Sequence, residues 1–249
     1  MLAARGTLRG VTPSNPTFTT VLLPGLACDA ELWRAQWSVL AARHWPAISD
    51  THTRADTIPA MAEMLLAEHP GELVLVGASM GGRVAIEAAR QAPERVLGLA
   101  LLGSTARADS ETLRATRQQA IEMFQAGEGD DVLEANVWFV FDRRAWDDQP
   151  LLDRYLAMVR RTSVPQLVRQ NRAMMAVADA RAGLGAIRCP TLVVCGEGDT
   201  ITPPECSREI AAAIPGAQLH LLPDCGHMLT MEQPQRVNAL LLEWLARLA

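Results

Sequence analysis

The sequence predicts an α/β fold, a mostly parallel sheet with helices on both faces, and three observations predict it. Short, unbroken apolar runs recur, among them FTTVLL (Phe18–Leu23), VLGLALL (Val96–Leu102) and TLVVC (Thr191–Cys195). Strands covered on both faces read as continuous apolar runs instead of alternating ones. Helical patterns with one apolar side separate these runs over short connections, which is the order of a parallel sheet. The third observation is the stretch Leu73-Val74-Leu75-Val76-Gly77-Ala78-Ser79-Met80-Gly81-Gly82, which sets Gly-x-Ser-x-Gly between an apolar strand and a helix. Such glycines permit a turn so tight that side chains on it would collide with their neighbours.

Taken in order, residues 1–17 hold Pro13 and Pro16 and predict an extended arm. After the first strand, Pro24-Gly25-Leu26-Ala27-Cys28 is a turn, and Asp29 is the N-cap of a helix with Leu32, Trp33, Gln36, Trp37 and Leu40 on one side. Both tryptophans are expected in the core. Trp45–Ser49 is a weaker strand, interrupted by Pro46. Thr57 caps a helix to Glu68 whose inner face is Ile58, Met61, Met64 and Leu65. The serine turn follows, then a helix from Arg83 to Gln91 whose alanines allow close approach to a sheet. Pro93 stops it.

After Gly103-Ser104 the pattern changes. Residues 105 to about 185 contain no clear strand but four helical patterns, over 111–125, 131–141, 151–161 and 164–179. This predicts a helical lid at 105–185 inserted into a core formed by 1–104 and 186–249. Trp138, Phe139, Phe141, Trp146 and the methionines, Met174 among them, are candidates to line a binding cavity, since methionine fills irregular gaps. The strand Thr191–Cys195 then resumes the α/β order. Thr202-Pro203-Pro204-Glu205 fits a capping box opening a helix to about Ile214. Gln218–Leu222 is the last strand and Arg236–Leu248 a terminal amphipathic helix.

Composition narrows the function. The chain has 249 residues, 49% of them apolar, and a net charge of −5. That supports one large core and argues against a nucleic-acid partner. No apolar run approaches the roughly 18 residues of a membrane span, and the N-terminus lacks a long apolar segment. A soluble, cytoplasmic protein without a membrane partner is expected. The five cysteines, Cys28, Cys189, Cys195, Cys206 and Cys225, form neither a Cys-x-x-Cys pair nor zinc-ligand spacing, so they read as free thiols.

Gly-x-Ser-x-Gly arises by chance in roughly one chain in ten of this length, so the serine needs partners before it means chemistry. A serine hydroxyl is a weak nucleophile that requires a base, and the base requires an acid to orient it. On this type of turn the order is Ser, then Asp or Glu, then His, each past a strand end. Asp199 follows the strand at 191–195, and His227 follows the strand at 218–222 in Pro223-Asp224-Cys225-Gly226-His227. His44 and His69 end helices, His52 lies in an early loop and His220 within a strand. Glu197 and Asp224 are rival acids in the same loops as the pair. Developing negative charge on an attacked carbonyl needs N–H donors. Met80, directly after the serine, and Leu26, in the loop after the first strand, are the candidates.

The set LLPGLACDAELW, LVGASMGG, VVCGEGDTITPPE and DCGHM resembles the α/β-hydrolase superfamily, and is most similar to its small bacterial single-lid members: carboxylesterases, enol-lactonases and pimeloyl-ester esterases. The resemblance covers the chain outside the lid. It implies Ser79, Asp199 and His227 as the triad, Leu26 and Met80 as oxyanion donors, and hydrolysis of a small carboxylic ester, thioester or lactone through an acyl-enzyme with no metal or organic cofactor. Two departures stand out. Pro24-Gly25 replaces a common His-Gly, and residues 1–17 are too short and too proline-interrupted for the N-terminal hairpin of many members, so the sheet is expected to be smaller by one or two strands. Other chemistries on the same fold remain open: C–C bond hydrolysis, elimination or peptidase work. So does a non-catalytic hydrolase-like binding protein. Arg160, Arg161, Arg169 and Arg172 in the lid are candidates for a substrate carboxylate, weighed against an ordinary solvated helix face.

Overall fold

Successive side chains of a strand point to opposite faces, and the apolar runs divide that way. Leu22, Val74, Val76, Ala100 and Val194 enter one buried cluster. Val21, Leu73, Leu75, Leu99, Leu101 and Val193 enter a second. The chain is described by a computed structural model covering residues 18–42, 44 and 46–248. The arm expected over 1–17, and Trp45 at the start of the second expected strand, lie outside the described residues.

Between the two clusters is a six-stranded sheet: β1 (Thr19–Leu23), β2 (Ala47–Ile48), β3 (Leu73–Ala78), β4 (Val96–Leu102), β5 (Thr191–Gly196) and β6 (Gln218–Leu222). The spatial order is β2-β1-β3-β4-β5-β6, and every neighbouring pair is parallel. From β1 the chain moves out to β2, then returns to β3 on the other side of β1. The order reverses there, so the loops after β1 and β3 leave the sheet in opposite directions. Crevices of this kind at the carboxyl ends of strands are where open α/β sheets bind ligands.

The helices cover both faces. α1 (Arg34–Leu40) lies on the first cluster, entered through a short 3₁₀ turn at Ala30–Trp33 that Asp29 caps by accepting from the Glu31 N–H at 2.9 Å. α2 (Ile58–Glu68) and α3 (Met80–Gln91) lie on the second. Thr57 caps α2, accepting from the Ala60 N–H at 3.2 Å. Between β4 and β5 come α4 (Glu111–Ala126), α5 (Gly129–Val140), α6 (Gln149–Val159) and α7 (Val164–Ala176). α8 (Pro204–Ala213), the single turn α9 (Leu229–Glu232) and α10 (Pro234–Leu245) complete the chain.

Three expectations need correction. Trp33 is fully buried, but Trp37 is 41% exposed, because the chain enters α1 through a 3₁₀ turn whose tighter pitch shifts the faces. The helix after Ser79 starts at Met80, not Arg83, so Ser79 itself stands at the N-cap. Thr202 caps no helix: α8 begins at Pro204 behind Pro203, and the Thr202 hydroxyl is bonded to Asp199 instead.

Candidate active site

The turn after β3 is tight for the reason its glycines suggested. A Cβ on Gly81 would run into the Leu23 carbonyl, and one on Gly77 into the Gly81 backbone, so only glycine lets α3 pack this closely under β1. Ser79 sits between them at φ +52°, ψ −115°. A non-glycine residue there costs on the order of 1–3 kcal/mol and persists only when its surroundings fix it. They do: the Ser79 N–H donates to the Leu102 carbonyl at 2.9 Å, and the Ser79 carbonyl accepts from the Gly82 N–H at 3.0 Å and the Ser104 hydroxyl at 2.8 Å.

The loops after β5 and β6 bring Asp199 and His227 to this serine. His227 Nε2 lies 2.9 Å from Ser79 Oγ, and Nδ1 lies 2.8 Å from Asp199 Oδ2. A carboxylate can only accept, so Nδ1 carries the proton and Nε2 is the acceptor facing the serine hydroxyl. Asp199 is buried and fully engaged. Oδ1 accepts from the N–H groups of Ile201 and Thr202, at 2.9 and 2.8 Å, and Oδ2 also accepts from the Thr202 hydroxyl at 2.8 Å. Burial by itself would raise the Asp199 carboxyl. Electrostatic attraction to His227 and the hydrogen bonds from His227 and Thr202 outweigh that and hold it below the ordinary carboxylate range. The rival acids Glu197 and Asp224 point to solvent. Of the other histidines, His52 is buried with Nε2 on the Cys28 carbonyl at 2.9 Å, His69 follows α2 and His220 lies in β6.

Ser79 and His227 open onto a cavity of about 260 Å³, small beside typical ligand sites of roughly 300–1,000 Å³. Leu26 and Met80 line its floor. Met80 is the first residue of α3, so its N–H has no intrahelical partner. The loop carrying Leu26 is pressed against the serine, since a Cβ on Gly25 would lie 3.3 Å from Ser79 Cβ. The roof comes from the helices between β4 and β5, through Phe124, Leu133, Tyr155, Leu167 and Met174.

Of the five cavity candidates named from the sequence, Met174 lies on the wall, while Trp146 stands outside it, edge-on to Trp138 at 5.2 Å between ring centroids. Trp138 and Phe139 are 53% and 57% exposed and stand outside the lining, because the inward stripe of α5 is Leu133, Val137 and Val140. Phe141 is buried beyond the cavity, edge-on to Tyr155 at 5.1 Å between ring centroids. None of the four arginines singled out from the sequence lines the cavity. Arg160 pairs with Asp130 and Glu134, Arg161 with Asp29 and Arg169 with Asp56, while Arg172 is exposed. Cys28 and Cys225 are buried thiols, and burial pushes Cys28 up to about 12.

Several residues the sequence reading missed hold the loops in place. Gln170 of α7 accepts from the Ala27 N–H at 3.0 Å and donates to the His52 carbonyl at 3.0 Å, tying the Leu26 loop to the roof. The Val140 carbonyl at the end of α5 accepts from both His227 and Met228 N–H groups, at 2.8 and 3.1 Å. Glu232 accepts from the Gly226 and Asp142 N–H groups at 3.0 Å each, and its burial pushes the carboxyl up to about 7. A Glu five residues after the candidate base, ahead of Pro234, is visible in the sequence. That it bonds two backbone amides is not, because both donors come from loops.

The sequence pattern of the alpha/beta hydrolase family matches residues 20–240. A putative carbamate hydrolase RutD of Serratia proteamaculans is 26% identical over 95% of this chain and 93% of its own. A pimeloyl-[acyl-carrier protein] methyl ester esterase of Aromatoleum aromaticum is 28% identical over 86% and 93%. Among solved structures, an esterase from Thermogutta terrifontis with malate bound superposes with a TM-score of 0.84, at 29% identity, over 93% of this chain and 90% of that one. With the family pattern running from β1 into α10 over the same parallel sheet, the chain belongs to the alpha/beta hydrolase family.

Proposed function

We propose that the protein hydrolyses a small carboxylic ester, thioester or lactone through an acyl-enzyme on Ser79. The observation that carries this reading is the continuous hydrogen-bond path from Ser79 Oγ through His227 to Asp199, at 2.9 and 2.8 Å. In this reading His227 Nε2 takes the hydroxyl proton as Ser79 Oγ attacks the carbonyl carbon, and Asp199 stabilises the resulting imidazolium. The N–H groups of Leu26 and Met80 receive the oxyanion. Losing such a donor costs about 3–4 kcal/mol. His227 then gives its proton to the departing alcohol, thiol or ring oxygen. Water attacks the acyl-serine by the same route in reverse, with His227 as base and then acid. Residues 105–185 act as the lid that shapes the acyl and alcohol sites.

Ser79→Ala is the direct test. Hydrolysis of a short-chain aryl ester should fall by roughly 10⁴–10⁶-fold, and activity within tenfold of the parent overturns the assignment. Covalent labelling of Ser79 by a fluorophosphonate separates an enzyme from a binding protein built on the same fold.

A further inference from the structure

Charges that face the cavity do not balance. Among the described residues, Arg117 of α4 lines it and is the one residue there, apart from His227, that can carry positive charge. No Asp or Glu lines it among the described residues. Arg117 Nε donates to Asp109 Oδ2 at 2.7 Å, and Nη1 donates to Asn171 Oδ1 at 3.2 Å. Asp109 is not available to Arg117 alone. Arg83 of α3, buried behind the cavity, stands 3.7 Å from its other oxygen and donates to the Arg107 carbonyl at 2.6 Å. Two guanidinium groups thus share one carboxylate. The next charges outward answer one another: Arg107 pairs with Glu209, and Arg181 with Asp179. One positive charge is left over, at the edge of a mainly apolar chamber. An arginine side chain 17% exposed in such a place, sharing its one carboxylate with a second guanidinium, is costly unless a further anion answers it.

From this we propose that Arg117, with Asn171 beside it, is an anion subsite, and that the substrate is an ester or lactone bearing a second, ionised carboxylate, such as the half-ester of a short dicarboxylic acid. The proposal rests on Ser79 being the nucleophile, and names the substrate class of that same site. Ser79 and Arg117 both stand on the wall of the same cavity of about 260 Å³. Arginine suits the task because its planar fork meets a carboxylate with two parallel bonds. The second carboxylate takes no part in the reaction. Water breaks the ester C–O bond, the acyl group leaves as a carboxylate with release of a proton, and the alcohol departs.

The opposing reading is that Arg117 merely fastens α4 to the Asp109 loop. The two separate on a ratio that a folding defect does not move: kcat/KM for monomethyl glutarate over that for dimethyl glutarate, repeated with the succinate and adipate pairs. The wild type should favour the half-ester in at least one pair by tenfold or more. Arg117→Gln should lower that ratio about 10–100-fold, the equivalent of the 1.5–3 kcal/mol of a charge-assisted hydrogen bond, with the loss mainly in KM. Arg117→Lys should keep part of the preference. Free glutarate should inhibit cleavage of a neutral ester by the wild type competitively, and that measurement stands even if the variants fold poorly. A wild type that prefers every diester, a ratio unchanged in Arg117→Gln, or no competition by any of the three dicarboxylates overturns the subsite. If Ser79 takes up fluorophosphonate and the diesters are cleaved without such preference, the subsite alone fails. If Ser79 is unlabelled and no ester is cleaved, the hydrolase reading fails and the subsite with it.

Discussion

The floor of the cavity and its roof are built by different rules. The floor is backbone: strand ends at β1, β3, β5 and β6, a serine held at positive φ, and glycines at 77 and 81 where a single Cβ would collide with main chain. Its geometry is nearly independent of which apolar side chains fill the sheet. The roof is side chain: Phe124, Leu133, Tyr155, Leu167 and Met174 set its shape, and each could be exchanged for another apolar residue without breaking a helix. Floor changes should therefore cost rate on every substrate, and roof changes should alter which substrate is preferred.

Asp199→Asn tests the first half most severely. The imidazole loses its orienting carboxylate, and kcat should drop roughly 10³–10⁴-fold for all esters alike. A drop confined to one ester class would contradict the division. On the roof, Phe124→Leu enlarges the chamber, and the preference for longer over shorter esters should rise about tenfold, the order expected for a methylene-sized change. Competition kinetics between two chain lengths measures it, and an equal loss on both would place Phe124 with the floor.

Glu232 lies where floor meets roof, and its effect should appear in stability against pH. Its carboxyl is raised from 4.5 to about 7 in the folded chain. Between those values the folded state keeps a proton that the unfolded state releases. This contribution is fully present below about pH 4.5 and is lost as pH rises to about 7. Asp199 acts in the opposite sense: its lowered value adds stability above its ordinary range, lost as the pH falls. Glu232→Gln should flatten the fall between pH 4.5 and 7, read as urea midpoints, and an unaltered slope would remove Glu232 as its source. The smallest effect belongs to Phe139→Ala. Its side chain is exposed, so stability should stay within about 0.5 kcal/mol and selectivity should not move.

This contrast also explains what was legible in the sequence. Strand runs and Gly-x-Ser-x-Gly report backbone demands directly, so the strands at 96–102 and 218–222 coincide with β4 and β6, and Asp199 and His227 fall at strand ends beside Ser79. The helices between β4 and β5 were also legible as helices. Their inward faces were less so. Trp138 and Phe139 looked like cavity residues because they are large and apolar, yet the stripe through Leu133, Val137 and Val140 turns them outward. Arg117 gave no signal among 23 basic residues, all of them arginine, since what distinguishes it is a shortage of nearby carboxylates in space. Thr202 looked like a cap because caps and carboxylate partners draw on the same residue types.

The Val140 carbonyl, which receives the N–H groups of His227 and Met228, limits how this enzyme could be re-engineered. Phe139 reinforces the joint by accepting from the Thr200 hydroxyl at 2.8 Å, one residue from Asp199. The last turn of α5 thus travels with the Asp199 and His227 loops even though it belongs to the roof by sequence. A chimera that transplants roof helices from a relative should leave residues 139–142 with the recipient. Crossovers placed after Ser104, which holds the Ser79 carbonyl, and at 139 would exchange α4 and most of α5 as a cassette, whereas a graft running through 142 would import a foreign seat for the histidine.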